Sequence, residues 1–157
     1  MVENPNPKDI LFLCEYSNVA WGLEYDGIFI TRGGRMYRFG KKAGTSQRPS
    51  EADQSRADYI AWVSEHAVFE SQVDLAELDK KARLIEAASK GEIVPGDWGF
   101  DAGTTFYLAF RLKGEQAEEI VLEIFGDAST AGQSLNNQSP EAAELVNWLN
   151  EMWINRW

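Results

Sequence analysis

Two carboxylates four residues apart, Asp97 and Asp101, bracket Trp98 and Phe100 in the run PGDWGFDAGTT at positions 95–105. A carboxylate pair beside aromatic rings is the general shape of a carbohydrate cleft, where the rings hold the sugar and the acids act on the glycosidic bond. Asp97, Trp98 and Asp101, with Trp21, are therefore candidates for a small-ligand or carbohydrate site. Among twenty-five acidic residues such pairs also arise by chance. A second pattern is Arg32, Arg35 and Arg38 alternating with Met36, Tyr37 and Phe39, since cations interleaved with aromatics can contact phosphate and stack on bases. A third is the pair Trp153 and Trp157, on one edge of an apolar arc close to the carboxyl end. His66 is the only histidine and Cys14 the only cysteine, so a zinc site would need Asp or Glu at nearly every position. Neither a metal nor another cofactor is expected.

The run Asp101-Ala102-Gly103-Thr104-Thr105 resembles the phosphate loop of the actin, sugar-kinase and heat-shock-chaperone superfamily, whose Asp positions a metal-bound water and whose Gly-Thr hairpin cradles phosphate. That resemblance implies a duplicated nucleotide-binding domain much larger than this chain. The run also resembles the Asp-Thr/Ser-Gly of aspartic proteases, but Ala102 lacks the hydroxyl and that chemistry requires two such carboxylates. The plainer reading is a turn entering a strand. Ser-His-Asp catalysis would have to use His66, with no GxSxG elbow to supply the nucleophile. His66 is expected to be a hydrogen-bonded, partly buried helix residue. The expectation leans to a non-catalytic protein.

Charge narrows the choice of partners. The net charge is −10. Between Ile28 and Ser50 there are six basic residues and no acidic one, which leaves nine basic against twenty-five acidic residues elsewhere, a net of −16. The basic segment either lies against acidic neighbours within the fold or forms an anion-binding or docking face. A sequence pI of about 4.6 argues against nucleic acid as partner, because the rest of the molecule repels a polyanion. A lone cysteine rules out an intrachain disulfide, and a cytoplasmic location is expected. The LFLC at 11–14 lacks the positive leader, the apolar length and the small preceding residue of a lipoprotein signal. No stretch approaches the roughly 18 apolar residues of a membrane span.

The elements that must position these residues follow from periodicity. Asp9 to Tyr16 reads as a largely buried strand, and Trp21–Thr31 and Arg35–Phe39 as two more, joined through Gly33-Gly34. Asp26-Gly27 is either a tight turn or the site of a bulge. A helix is expected from Ser50 to about His66, with Tyr59, Ile60, Val63 and Ala67 on one face. A second starts at Asp74, with Glu77 completing a capping box and Val73 stapling onto Leu78, carries its stripe on Leu75, Leu78, Ala82 and Ile85, and closes at Gly91. Thr104–Leu112 and Glu119–Phe125 make a hairpin across a KGEQAE linker. The polar stretch 126–139 is long for a loop and so is functional or mobile. Ser139 and Pro140 open the last helix. Residues 1–157 are thus expected to form a single α+β domain. Its antiparallel sheet has about five strands built from hairpins, covered on one side by about three helices.

The runs Tyr16–Gly22, Gly27–Ile30, Gly34–Phe39 and Asp101–Thr105, with the closing Ser139-Pro140 helix, resemble a group of small uncharacterised bacterial proteins. The resemblance implies a bacterial source and a shared single-domain fold, and it carries no activity. The −16 body and the surplus aromatics suit an immunity- or inhibitor-like protein that binds a basic protein partner or associates with itself. The alternative is the small-ligand domain on Asp97, Trp98 and Asp101 near Trp21, with or without hydrolysis.

Overall fold

The computed structural model describes residues 3–18, 24–44, 55–97, 103–126 and 134–154. Within them the strands are β1 (Ile10–Asn18), β2 (Glu24–Thr31), β3 (Arg35–Gly40), β4 (Val68–Gln72), β5 (Ile93–Pro95), β6 (Thr104–Lys113), β7 (Gln116–Phe125) and β8 (Leu135–Asn137). They form one antiparallel sheet in the order β4-β3-β2-β1-β6-β7-β8-β5. The helices are α1 (Arg56–His66), α2 (Leu75–Ala82), α3 (Leu84–Ala88) and α4 (Pro140–Ile154).

The sheet corrects the expectation of about five strands, since eight are present among the described residues. The five read from the sequence are β1, β2, β3, β6 and β7. The additional three are short or at an edge. β5 and β8 have three residues each and pair with one another, too little chain for an alternating pattern to register. β4 is an edge strand with Val68 and Phe69 exposed and a register shift opposite Met36 and Tyr37, so its apolar residues do not alternate in and out. The stretch 126–139, expected to be all loop, contains β8.

The sheet is covered on both faces, not one. On one face Phe12, Cys14, Ile28 and Ile30 pack against Leu78, Ile85, Leu145 and Trp148 of α2, α3 and α4. On the other Leu13, Phe29, Tyr37 and Phe106 pack against Tyr59 and Val63 of α1. β1 lies at the centre, and its run Ile10–Cys14 is buried on both sides, which is why it reads as continuous apolar sequence rather than alternation. Two core layers from 157 residues explain the high aromatic content.

Local chemistry sets the element ends. The cap of α1 is Ser55, whose Oγ accepts from the Asp58 amide at 3.2 Å, and the helix starts at Arg56; Ser50, expected to cap it, lies outside the described residues. Asp74 caps α2 by accepting from the Glu77 amide at 2.9 Å, and Ser139 caps α4 by accepting from the Ala142 amide at 3.0 Å. The single helix expected from Asp74 to Gly91 is interrupted at Arg83. Leu75, expected in its apolar stripe, is 59% exposed. The β2–β3 turn spans Arg32, Gly33 and Gly34, with the Gly34 amide bonded to the Thr31 carbonyl at 2.9 Å and φ of +79° at Gly34, where an L side chain would be strained.

Candidate binding site

Period-two alternation puts Asp26 on the face of Ile28 and Ile30, beneath the C-terminal turn of α4. A carboxylate there must be satisfied locally. Arg38 Nη1 donates to Asp26 Oδ2 at 2.9 Å, and Trp153 Nε1 donates to the same oxygen at 2.7 Å. Arg38 reaches Glu70 with its other nitrogens, Nε to Oε1 at 3.0 Å. Arg38 and Asp26 side chains are each 10% exposed and Glu70 is 24% exposed, so this triad is a buried Asp–Arg pair extended by a partly exposed Glu, with an indole closing it. Asp26 Oδ1 is buried and has no hydrogen-bond donor, an arrangement that costs about 1–3 kcal/mol if left so.

Beside the triad lies a pocket of about 370 Å³, lined by Tyr16, Asp26, Thr105, Tyr107, Asn150 and Trp153, with Glu24, Lys41 and Lys42 among its charged residues. Register explains the assembly: Tyr16 on β1 lies opposite Asp26 on β2 and opposite Thr105 on β6, so the three form one row across the sheet. Tyr107 stands one step further along β6 on the same face, and its hydroxyl donates to Asn150 Oδ1 of α4 at 3.1 Å. Burial pushes the Tyr107 phenol above its usual range, reinforced by Cys14 and Glu123. Trp153 packs edge-on against Tyr107, with centroids 6.3 Å apart.

A second concavity lies outside the helix layer, between α2 and α4. This groove, of about 510 Å³, is lined by Glu77, Glu144, Glu151, Lys81, Ala143 and Trp148. Trp148 Nε1 donates to Glu77 Oε1 at 2.8 Å, and Lys81 Nζ pairs with Glu144 at 2.9 Å. Three carboxylates thus face one lysine, which is already paired.

The residues singled out from the sequence are dispersed. Arg38 is buried in the triad, while Arg35 is exposed and lies over the rings of Phe69 and Tyr37 at 5.0 and 5.6 Å. Arg32, in the β2–β3 turn, is half-buried and donates to the Phe110 carbonyl at 3.4 Å, and burial lowers its pKa. The three arginines do not share one face. Trp153 is folded into the core and bonded to Asp26. Asp97 is exposed beyond β5, at the far edge of the sheet from the triad. Trp21, Trp98, Asp101 and Trp157 lie outside the described residues. His66 is exposed, its Nδ1 bonded to the Trp62 carbonyl at 2.9 Å and its ring stacked on Trp62. Among the described residues no group of three His, Cys, Asp or Glu could hold a metal ion, and no helix is long and apolar enough to cross a membrane.

Sequence reasoning missed Asp26, Tyr16, Tyr107 and Asn150. One signal was available for Asp26, an acid in phase with two core isoleucines of the same strand. Asn150 and Tyr107 meet only through tertiary packing.

The sequence matches no protein-family model and is not significantly similar to any curated protein.

Proposed function

We propose that this protein is a non-catalytic acidic binding domain that docks a basic segment of a partner protein in the groove between α2 and α4, as immunity or inhibitor proteins neutralise a basic target. The observation that carries this reading is the groove itself, where Glu77, Glu144 and Glu151 surround an apolar base of Trp148 and Ala143. An arginine or lysine of the partner would lay its aliphatic stem on that base and its charged head on the carboxylates. The groove's own cation, Lys81, is occupied by Glu144. The overall charge supports the same reading. Arg38 with Asp26 and Glu70 is a group of net −1, so nearly the whole net charge of −10 stays on the rest of the molecule, and a negative exterior speeds encounter with a cationic partner.

The test is to isolate the partner by affinity capture from a source strain and then measure its affinity for wild type and for a Glu144→Lys/Glu151→Lys variant. The reading expects at least about a tenfold weaker Kd for the variant, and wild-type affinity that falls as salt rises. A partner held equally well by the variant, with no salt dependence, overturns it.

A further inference from the structure

The pocket beneath the last turn of α4 uses different residues from the acidic groove and suits a different kind of ligand. We propose that it binds a neutral, hydroxyl-rich small molecule with an apolar ring face, of the monosaccharide or short-oligosaccharide class. Its volume of about 370 Å³ lies near the lower end of small-molecule sites, which run from about 300 to 1,000 Å³ and so fits one or two rings. Tyr16, Tyr107 and Trp153 provide aromatic surface on which the C–H face of a sugar packs.

Charge selects against ions of either sign. Glu24 and Asp26 are balanced by Lys41 and Lys42 along the lining, and Arg38 already neutralises Asp26 from behind. A cationic ligand meets the lysines and gains little from Asp26, whereas an anionic one meets the two carboxylates. A hydroxyl both donates and accepts, so it can use a mixed set of polar groups without bringing charge.

The polar groups are already positioned. Asp26 is fixed through Oδ2 by Arg38 and Trp153, while Oδ1 has no donor. That oxygen is enclosed by protein, so Asp26 fixes the wall of the pocket while Asn150 and Thr105 meet the ligand. Asn150 is oriented by the Tyr107 hydroxyl through Oδ1, which leaves its amide hydrogens to donate to a ligand oxygen. Thr105, in the same cross-strand row as Tyr16 and Asp26, adds a hydroxyl. Groups held in this way lose little freedom on binding.

The experiment is saturation-transfer NMR and calorimetry on the full chain. The probes are methyl glucoside, methyl galactoside and N-acetylglucosamine, with benzoate and benzyltrimethylammonium as charged aromatic probes, each at about 10 mM to detect millimolar affinity. The expected result is saturation transfer to at least one neutral sugar and to neither charged probe. Binding should weaken by about tenfold in Asn150→Ala and in Thr105→Val, each losing one hydrogen bond, with the melting curve checked for both. The Glu144→Lys/Glu151→Lys groove variant should bind the sugar as wild type does, which separates this site from the protein-docking groove. No transfer to any neutral sugar overturns the proposal, as does stronger binding of a charged probe or sugar binding unchanged in both pocket variants.

Discussion

Arg38 and Glu123 show how a charged side chain serves or burdens a fold according to what surrounds it. Arg38 is buried but bonded on both sides, to Asp26 and to Glu70, and removing it leaves the buried Asp26 and the partly exposed Glu70 without their cation. Arg38→Ala should therefore cost about 3–5 kcal/mol in urea unfolding. A loss below about 0.5 kcal/mol, as for an exposed surface arginine, would show that the triad does not exist in solution. Glu123 is on β7 opposite Tyr107, and burial raises its pKa. The fold thus favours the protonated carboxyl: that contribution is fully present below the unfolded pKa and is lost as pH rises through the folded one. Glu123→Gln, which cannot ionise, should melt higher than wild type near neutral pH, with the gap closing toward about pH 4, where a free glutamate titrates. A gap of equal size at both pH values would show that it has another cause.

Among the elements, β2 answers a question that its sequence leaves open. Gly27 is neither the centre of a tight turn nor a bulge: it sits in register, opposite Glu15 on β1 and Phe39 on β3. Its role is space. A Cβ there would run into the Phe39 ring and stand 2.6 Å from the Cys14 carbonyl oxygen. Gly27→Ala should accordingly destabilise by about 1–3 kcal/mol, the range for overpacking a filled core, measured by chemical denaturation. A neutral or stabilising effect would mean that the ring lies elsewhere. The helix caps Asp74 and Ser139 were legible because each acts on an amide three residues away, whereas the cap of α1 is Ser55 and not the expected Ser50. The break at Arg83 and the exposure of Leu75 were not legible, since the apolar spacing of 75, 78, 82 and 85 is that of one continuous helix, yet only Leu78 and Ile85 are fully buried.

At the scale of the whole molecule, eight strands with helices on both faces place Cys14 at the centre, on β1 between β2 and β6 and beneath α4. It is fully buried, and burial pushes its thiol well above the usual range. Alkylation of Cys14 by iodoacetamide should proceed only through global unfolding, its rate rising with urea in step with the unfolding equilibrium. A fast, urea-independent reaction in native buffer would place the thiol near the surface. By itself the sequence determined the five longer strands, the caps Asp74 and Ser139, the burial of β1 and the acidic balance. These depend on period, turn chemistry and composition, which act over a few residues or on the chain as a whole. Only the tertiary structure decided that three short strands complete the sheet and that both its faces are covered. Pairing energy for a three-residue strand comes from its neighbours. The same holds for the pocket: Asp26, Tyr16 and Thr105 become a row by strand register, and α4 then lays Asn150 and Trp153 over them. No local pattern records these juxtapositions, because the residues that make them are up to 127 positions apart.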